Sequence, residues 1–181
     1  MTSSGSVSVD VAALLLRLVV GGTMLAHGWN HVFGGGGLAG TARWFETIGM
    51  RPGRLNALAA SVTELGAGAL LVLGLATPVA AAGVVGTMLV ALVTNHLRNG
   101  FFVFRPGEGY EYVLMIIVVG CAIGALGGGA LSVDQLIGWP LTGLGGLAVA
   151  AGAGGLGAAL LLTAVWRPVR RTEAVLDCDS A

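Results

Sequence analysis

The feature that most constrains this chain is a run of five apolar stretches, each about twenty residues long, at 9–28, 55–75, 79–97, 112–131 and 141–166. A helix of ~20 residues crosses a hydrocarbon core of roughly 30 Å. In lipid the backbone must satisfy its own hydrogen bonds, so each stretch is predicted to be a spanning helix. Turn chemistry separates them: Gly34 to Gly37, Thr77-Pro78, Arg105-Pro106-Gly107 and Trp139-Pro140 all interrupt helical runs. Composition agrees, because 55% of the 181 residues are hydrophobic and only 10% are charged, too few to cover a water-facing surface. The expected fold is all-α integral membrane: a compact bundle of four helices over 1–139, a fifth, Gly/Ala-rich span over 140–166, and a tail over 167–181. The first stretch is read as a retained span, since it has no basic leader, carries Arg17, and has no small-x-small cleavage pattern before Trp29. Near 38–50, Leu38, Ala42, Phe45 and Ile48 recur at helical spacing beside Arg43, Trp44 and Glu46, predicting a short helix at the membrane interface.

Charge orients the bundle. Nine arginines, with no lysine, balance nine acidic residues, so no basic face exists for nucleic acid. Arg43, Arg51 and Arg54 flank the first connection, Arg98 and Arg105 the third, and Arg167, Arg170 and Arg171 follow the last span. With five crossings all of these fall on one side, which predicts an outside N-terminus and a cytoplasmic C-terminus. Cys121 and Cys178 have no CxxC spacing and make no disulfide framework.

The polar residues inside apolar stretches are the candidate site. A charge near the bilayer centre costs at least about 2.5–3.5 kcal/mol on insertion scales, so Arg17 and Glu64 are expected to face inward and find partners. Counting residues from the span ends puts both near mid-depth and predicts a buried Arg17–Glu64 pair, either a structural ion pair or a proton or ligand site. Ala60, Glu64 and Gly68 share a face on which small neighbours let another helix approach. A second group, His27, His31, Asn95, His96 and Glu111, gathers by depth at the cytoplasmic ends, reached by a stripe of Gly83, Thr87, Ala91 and Asn95. It reads as a hydrogen-bonded structural layer or as a quinone or proton site. The histidines lack HxxxE, HxxH or CxxC context, so no metal site is expected. There is no GxSxG elbow, P-loop or dinucleotide fingerprint, and Gly34 to Gly37 reads as a turn.

Several motifs in order carry a resemblance. Arg17-Leu18 through Ala26-His27-Gly28, then Phe33-Gly34-Gly35-Gly36-Gly37-Leu38-Ala39-Gly40-Thr41, resemble the opening of the DoxX family. Glu64 with Gly66, Gly68 and Leu73-Gly74-Leu75 resembles its second span. His96-Leu97-Arg98-Asn99-Gly100-Phe101-Phe102 with Gly109-Tyr110-Glu111, and Leu131-Ser132-Val133-Asp134, resemble its third connection and its ending. The resemblance covers roughly 11–139. His31 stands where many members carry lysine, and 141–181 extends a fold that usually has four helices.

The resemblance implies a multi-pass bacterial inner-membrane protein associated with redox systems. Relatives include subunits of thiosulfate:quinone oxidoreductase and proteins of oxidative-stress and thiol homeostasis. The leading expectation is a non-catalytic accessory or scaffold subunit in the lipid bilayer. It would dock soluble or membrane redox proteins, with Arg167, Arg170 and Arg171 meeting a partner or lipid, as a homo-oligomer or within a larger complex. The alternative is a quinone-linked oxidoreductase subunit whose quinone or proton site lies in the bundle, with electrons borrowed from a partner. Lipid or small-solute transport ranks below both, because no inverted repeat or broken helix pair is visible. No cofactor other than quinone is suggested.

Overall fold

The computed structural model describes residues 4–139 and 141–168. Helix α1, Ser4–Phe33, has 30 residues and is therefore about 45 Å long, well over the ~30 Å of a hydrocarbon core. Three consecutive glycines with positive φ, Gly35, Gly36 and Gly37 (44°, 96° and 63°), turn the chain into α2, Gly37–Thr47. Helix α3, Gly53–Leu73, closes with a Schellman motif. Gly74 is left-handed and donates to Leu71 O at 3.1 Å, while Leu75 N donates to Leu70 O at 2.9 Å. Helix α4, Thr77–Ala91, continues through a π turn, Leu92–His96, and a 3-10 turn, Leu97–Asn99. Helix α5 is Glu111–Leu126, and the one-turn α6 is Val133–Leu136. The chain ends in α7, Gly143–Ala148, and α8, Gly154–Val165, joined by a π turn at Val149–Ala153 into one apolar helix of 23 residues.

Among the described residues, four helices are long and apolar enough to cross a membrane: Val7–Phe33, Gly53–Leu73, Thr77–Asn99 and Gly143–Val165. The stretch expected to span at 112–131 is shorter as a helix, because Gly127 at φ 71° stops α5 after 16 residues, about 24 Å. It still runs the length of its neighbour. Its first residues bond to Gly100 and Phe101 beyond α4, and a methyl at Gly128, past its end, would meet Thr77 at the start of α4.

The outer surface is apolar. Leu15, Val19, Val62, Met115, Leu156 and Leu160 are all exposed, which only lipid can accommodate, and the protein is an all-α membrane bundle. Exposed aromatics ring one end (Trp29, Phe33, Trp44, Phe101, Phe102, Phe104), and Leu136, Ile137 and Trp139 are exposed at the other.

Glycines set the helix crossings. A methyl added at Gly68 would sit 2.8 Å from Gly21 O, and one at Gly21 would sit 2.9 Å from Gly68 O, so α1 and α3 touch backbone to backbone. The same device holds the Gly-rich C-terminal helix: Gly146 abuts Gly124 of α5, and Gly154 abuts Ala82 and Gly86 of α4. Residues that would weaken this helix in water fix it here by close approach.

Candidate functional site

The helices leave a cavity of about 640 Å³ toward the end of the bundle that carries α2. Its walls are small residues, among them Ala60 of α3, Gly83 and Gly86 of α4, and Gly157 and Ala158 of α8. Trp44 and Phe45 of α2, and Ile48 just after it, cover one side. Small side chains facing one another leave open volume, so the stripe of Gly83, Thr87, Ala91 and Asn95 lines a cavity, with Gly83 also packed closely against Ala67 of α3.

Glu64 and His31 are the polar pair on its wall. The carboxylate Oε2 lies 3.4 Å from His31 Nδ1, close enough for attraction, but neither atom has an aligned hydrogen-bond partner although both are buried. Glu64 is only 3% exposed. The imidazole is held by its surroundings: its ring edge meets Phe45, with centroids 6.1 Å apart, and its backbone carbonyl accepts from Thr41 Oγ1 at 2.8 Å. A buried acid and a partly buried imidazole with unmet hydrogen-bonding capacity can accept from, donate to, or exchange a proton with a ligand in the cavity.

The predicted polar layer divides. His27, His31, Asn95 and His96 all line the cavity, but Glu111 does not. Its Oε2 accepts from Val103 N at 3.3 Å and so anchors the loop between α4 and α5. Glu108 lines the cavity in its place. Both nitrogens of His96 are engaged. Nδ1 lies 3.0 Å from Glu108 O, a carbonyl that can only accept, which assigns the proton to Nδ1 and leaves Nε2 to accept from Asn95 Nδ2 at 3.3 Å. This imidazole positions the loop. Among the described residues, no three His, Cys, Asp or Glu side chains come together as a metal site.

The expected Arg17–Glu64 pair is not formed. Arg17 is fully buried at the opposite end of α3, where Nη1 donates to Leu71 O at 3.0 Å and Nη2 to Leu131 O at 2.7 Å. Leu71 is one of the last residues of α3, so the guanidinium adds a second donor to a carbonyl that already accepts from Gly74 N, at the helix end where the dipole favours a cation. The acidic group that attracts it is Asp134, whose carboxylate accepts from Ala76 N at 2.6 Å and Thr77 N at 2.9 Å and thereby caps the start of α4. The tight turn between α3 and α4 thus has a cation on the outgoing helix end and an anion on the incoming one. The depth estimate failed because the contact of Gly21 with Gly68 sets the register of α1 against α3, which places Arg17 level with the end of α3 and not with Glu64. Of the C-terminal arginines, Arg167 bonds back to Thr163 O, Ala164 O and Trp166 O at the end of α8, while Arg170 and Arg171 lie outside the described residues.

Residues 12–97 match the family model described as DoxX. This segment belongs to the DoxX family. No curated protein and no solved structure matches the chain. The DoxX segment runs from α1 to the 3-10 turn after α4 and contains His27, His31, Glu64, Asn95 and His96. The loop motif that follows, the Leu131 to Asp134 motif, and helices α5 to α8 fall beyond the matched residues.

Several residues important to the bundle carried little or no signal in the sequence. Asp134 was visible only as part of a motif, because a side chain that caps a helix 57 residues away leaves no local pattern. Asn56, Thr63 and Glu108 join the cavity only through tertiary packing. Trp166, read as the end of a span, donates from Nε1 to Ile48 O at 3.1 Å and so ties α8 to α2.

Proposed function

We propose that this DoxX protein is an accessory membrane subunit of a redox system, and that its cavity seats a quinone-class ligand whose head group meets Glu64 and His31. One observation carries the reading: Glu64 Oε2 and His31 Nδ1, both buried atoms short of a hydrogen-bond partner, on the wall of an otherwise largely apolar cavity of about 640 Å³. That volume lies within the roughly 300–1,000 Å³ typical of small-molecule sites, and apolar walls with few convergent polar groups are their usual lining. A quinone offers ring carbonyls that accept and, when reduced, hydroxyls that donate. Reduction to the quinol takes up two electrons and two protons. Glu64 and His31 are placed to exchange protons with the ring oxygens, while the electrons come from a partner redox protein.

The arginine pattern supports a bacterial inner-membrane orientation with the cavity end toward the cytoplasm. Arg43, Arg51, Arg54, Arg98, Arg105 and Arg167 all belong to the end of the bundle that carries α2 and the loop after α4. A cytoplasmic partner would meet this face, where Arg167 lies at the end of α8.

The test is quinone titration of the purified protein in detergent, comparing wild type with Glu64→Gln and His31→Phe. Saturable binding by wild type, weakened about tenfold or more in either variant, is the expected result, since an unpaired buried hydrogen-bonding group costs about 1–3 kcal/mol. Failure of the wild type to bind quinone would leave the scaffold role without a ligand and remove this reading.

A further inference from the structure

The cavity is not built by the DoxX segment alone. Outside residues 12–97 the lining comes from Glu108, from Tyr112 and Val113 of α5, and from a wall along α8 that contributes Gly154, Gly157, Ala158 and Leu161. The two glycines differ in kind. A methyl at Gly154 would meet Ala82 O at 2.7 Å, so Gly154 is required for the crossing with α4. A methyl at Gly157 would meet no atom within 4 Å, so nothing in the packing excludes a side chain there. The same helix also holds the cover. Trp166 Nε1 donates to Ile48 O at 3.1 Å, Arg51 N to Val165 O at 3.1 Å, and Arg167 N to Gly49 O at 2.8 Å, pinning the end of α2 that brings Phe45 and Ile48 over the cavity. The opposite wall carries the almost wholly buried Glu64, whose Oε2 has no hydrogen-bond partner.

We infer that the C-terminal helix is the specificity element of this protein, with Gly157 as the position that sets how large an apolar body can lie beside the Glu64–His31 pair. The ligand class this geometry takes is a neutral amphiphile with a hydrogen-bonding head and an apolar body accommodated against α8. Its identification as a quinone rests on the proposed function, whereas the role of Gly157 rests on the cavity itself. Gly157 lines the cavity and a Cβ there meets no atom within 4 Å, so a larger side chain at this position is expected to take up ligand volume before it strains a helix contact.

The experiment uses the full chain in detergent, with Gly157→Ala, Gly157→Phe and, as a matched control, Gly155→Phe. Gly155 lies on the same helix, is equally free of neighbours, and is not part of the cavity lining. A short-tailed benzoquinone is titrated by quenching of tryptophan fluorescence, Trp44 being on the cavity wall. In parallel, lipid extracts of each purified variant are compared by mass spectrometry, a readout that needs no assumption about the ligand. The expected result is Kd within about threefold of wild type for Gly157→Ala and Gly155→Phe, and at least tenfold weaker, about 1.4 kcal/mol, for Gly157→Phe. If no variant binds the quinone but an amphiphile retained by wild type and Gly155→Phe is missing from Gly157→Phe, the quinone reading fails and the assignment of α8 stands. Equal Kd values with identical extracts, or identical extracts with no quinone binding at all, overturn it.

Discussion

Arg17 offers the sharpest test of how the bundle is held together. Its guanidinium makes two short hydrogen bonds, to Leu71 O at 3.0 Å and Leu131 O at 2.7 Å, joining α1 to the end of α3 and to the segment after α5. Hydrogen bonds from a charged donor contribute about 1.5–3 kcal/mol each, so Arg17→Met forfeits roughly 3–6 kcal/mol of interaction and takes from Leu131 O the Arg17 donor. Removing the cation also removes its desolvation cost, which places the expected net loss near the lower end, at about 3 kcal/mol. Arg17→Lys keeps the charge, but one ammonium cannot reproduce the planar fork that reaches both carbonyls, and about half of that loss is expected. Glu64 is too remote to share in it. It lies seven residues from Leu71 along α3, about 11 Å, and its partner His31 is fourteen residues from Arg17 along α1, about 21 Å. Denaturation in mixed micelles of Arg17→Met, Glu64→Gln and the double variant should therefore give losses that add within about 0.5 kcal/mol. The Arg17→Met and Asp134→Asn cycle should instead be coupled. A coupling of about 1 kcal/mol or more between Arg17 and Glu64 would refute the helix-end account and restore the buried ion pair.

The crossing of α1 and α3 predicts that Gly68→Val, whose first methyl would meet Gly21 O at 2.8 Å, costs about 1–3 kcal/mol. Gly66→Val, which meets nothing within 4 Å, should stay within about 0.5 kcal/mol in the same unfolding assay. Orientation is read by cysteine labelling in a chain lacking Cys121 and Cys178. Leu136 and Phe104, 84% and 80% exposed at opposite ends, are suitable positions, whereas Thr77 and Asp134 are buried and would label poorly. A cysteine at residue 104 should be reached from the cytoplasm and one at residue 136 from outside, and the reverse pattern would invert the proposed topology.

What the sequence determined by itself was the class of solvent and the class of fold. Long apolar stretches with turn residues between them have few solutions in lipid, because backbone groups there must pair within the helix, and the all-α bundle follows from composition and length. The loop chemistry was equally local: the glycines at 35–37 and Gly74 turn the chain where the sequence places breaks. Partner choice was not local. Arg17 and Glu64 looked like a pair because opposite charges in lipid seek one another, but the sequence shows neither where α1 begins relative to α3 nor that helix-end carbonyls and Asp134 are available to the cation. Only the tertiary structure could turn Glu64 toward His31, divert Glu111 to a loop amide, and bring α8 against a DoxX segment whose sequence match ends at residue 97. The physical reason is that helix periodicity fixes which residues share a face, whereas the register and rotation of each helix against its neighbours are set by glycine-mediated contacts between residues far apart in the chain.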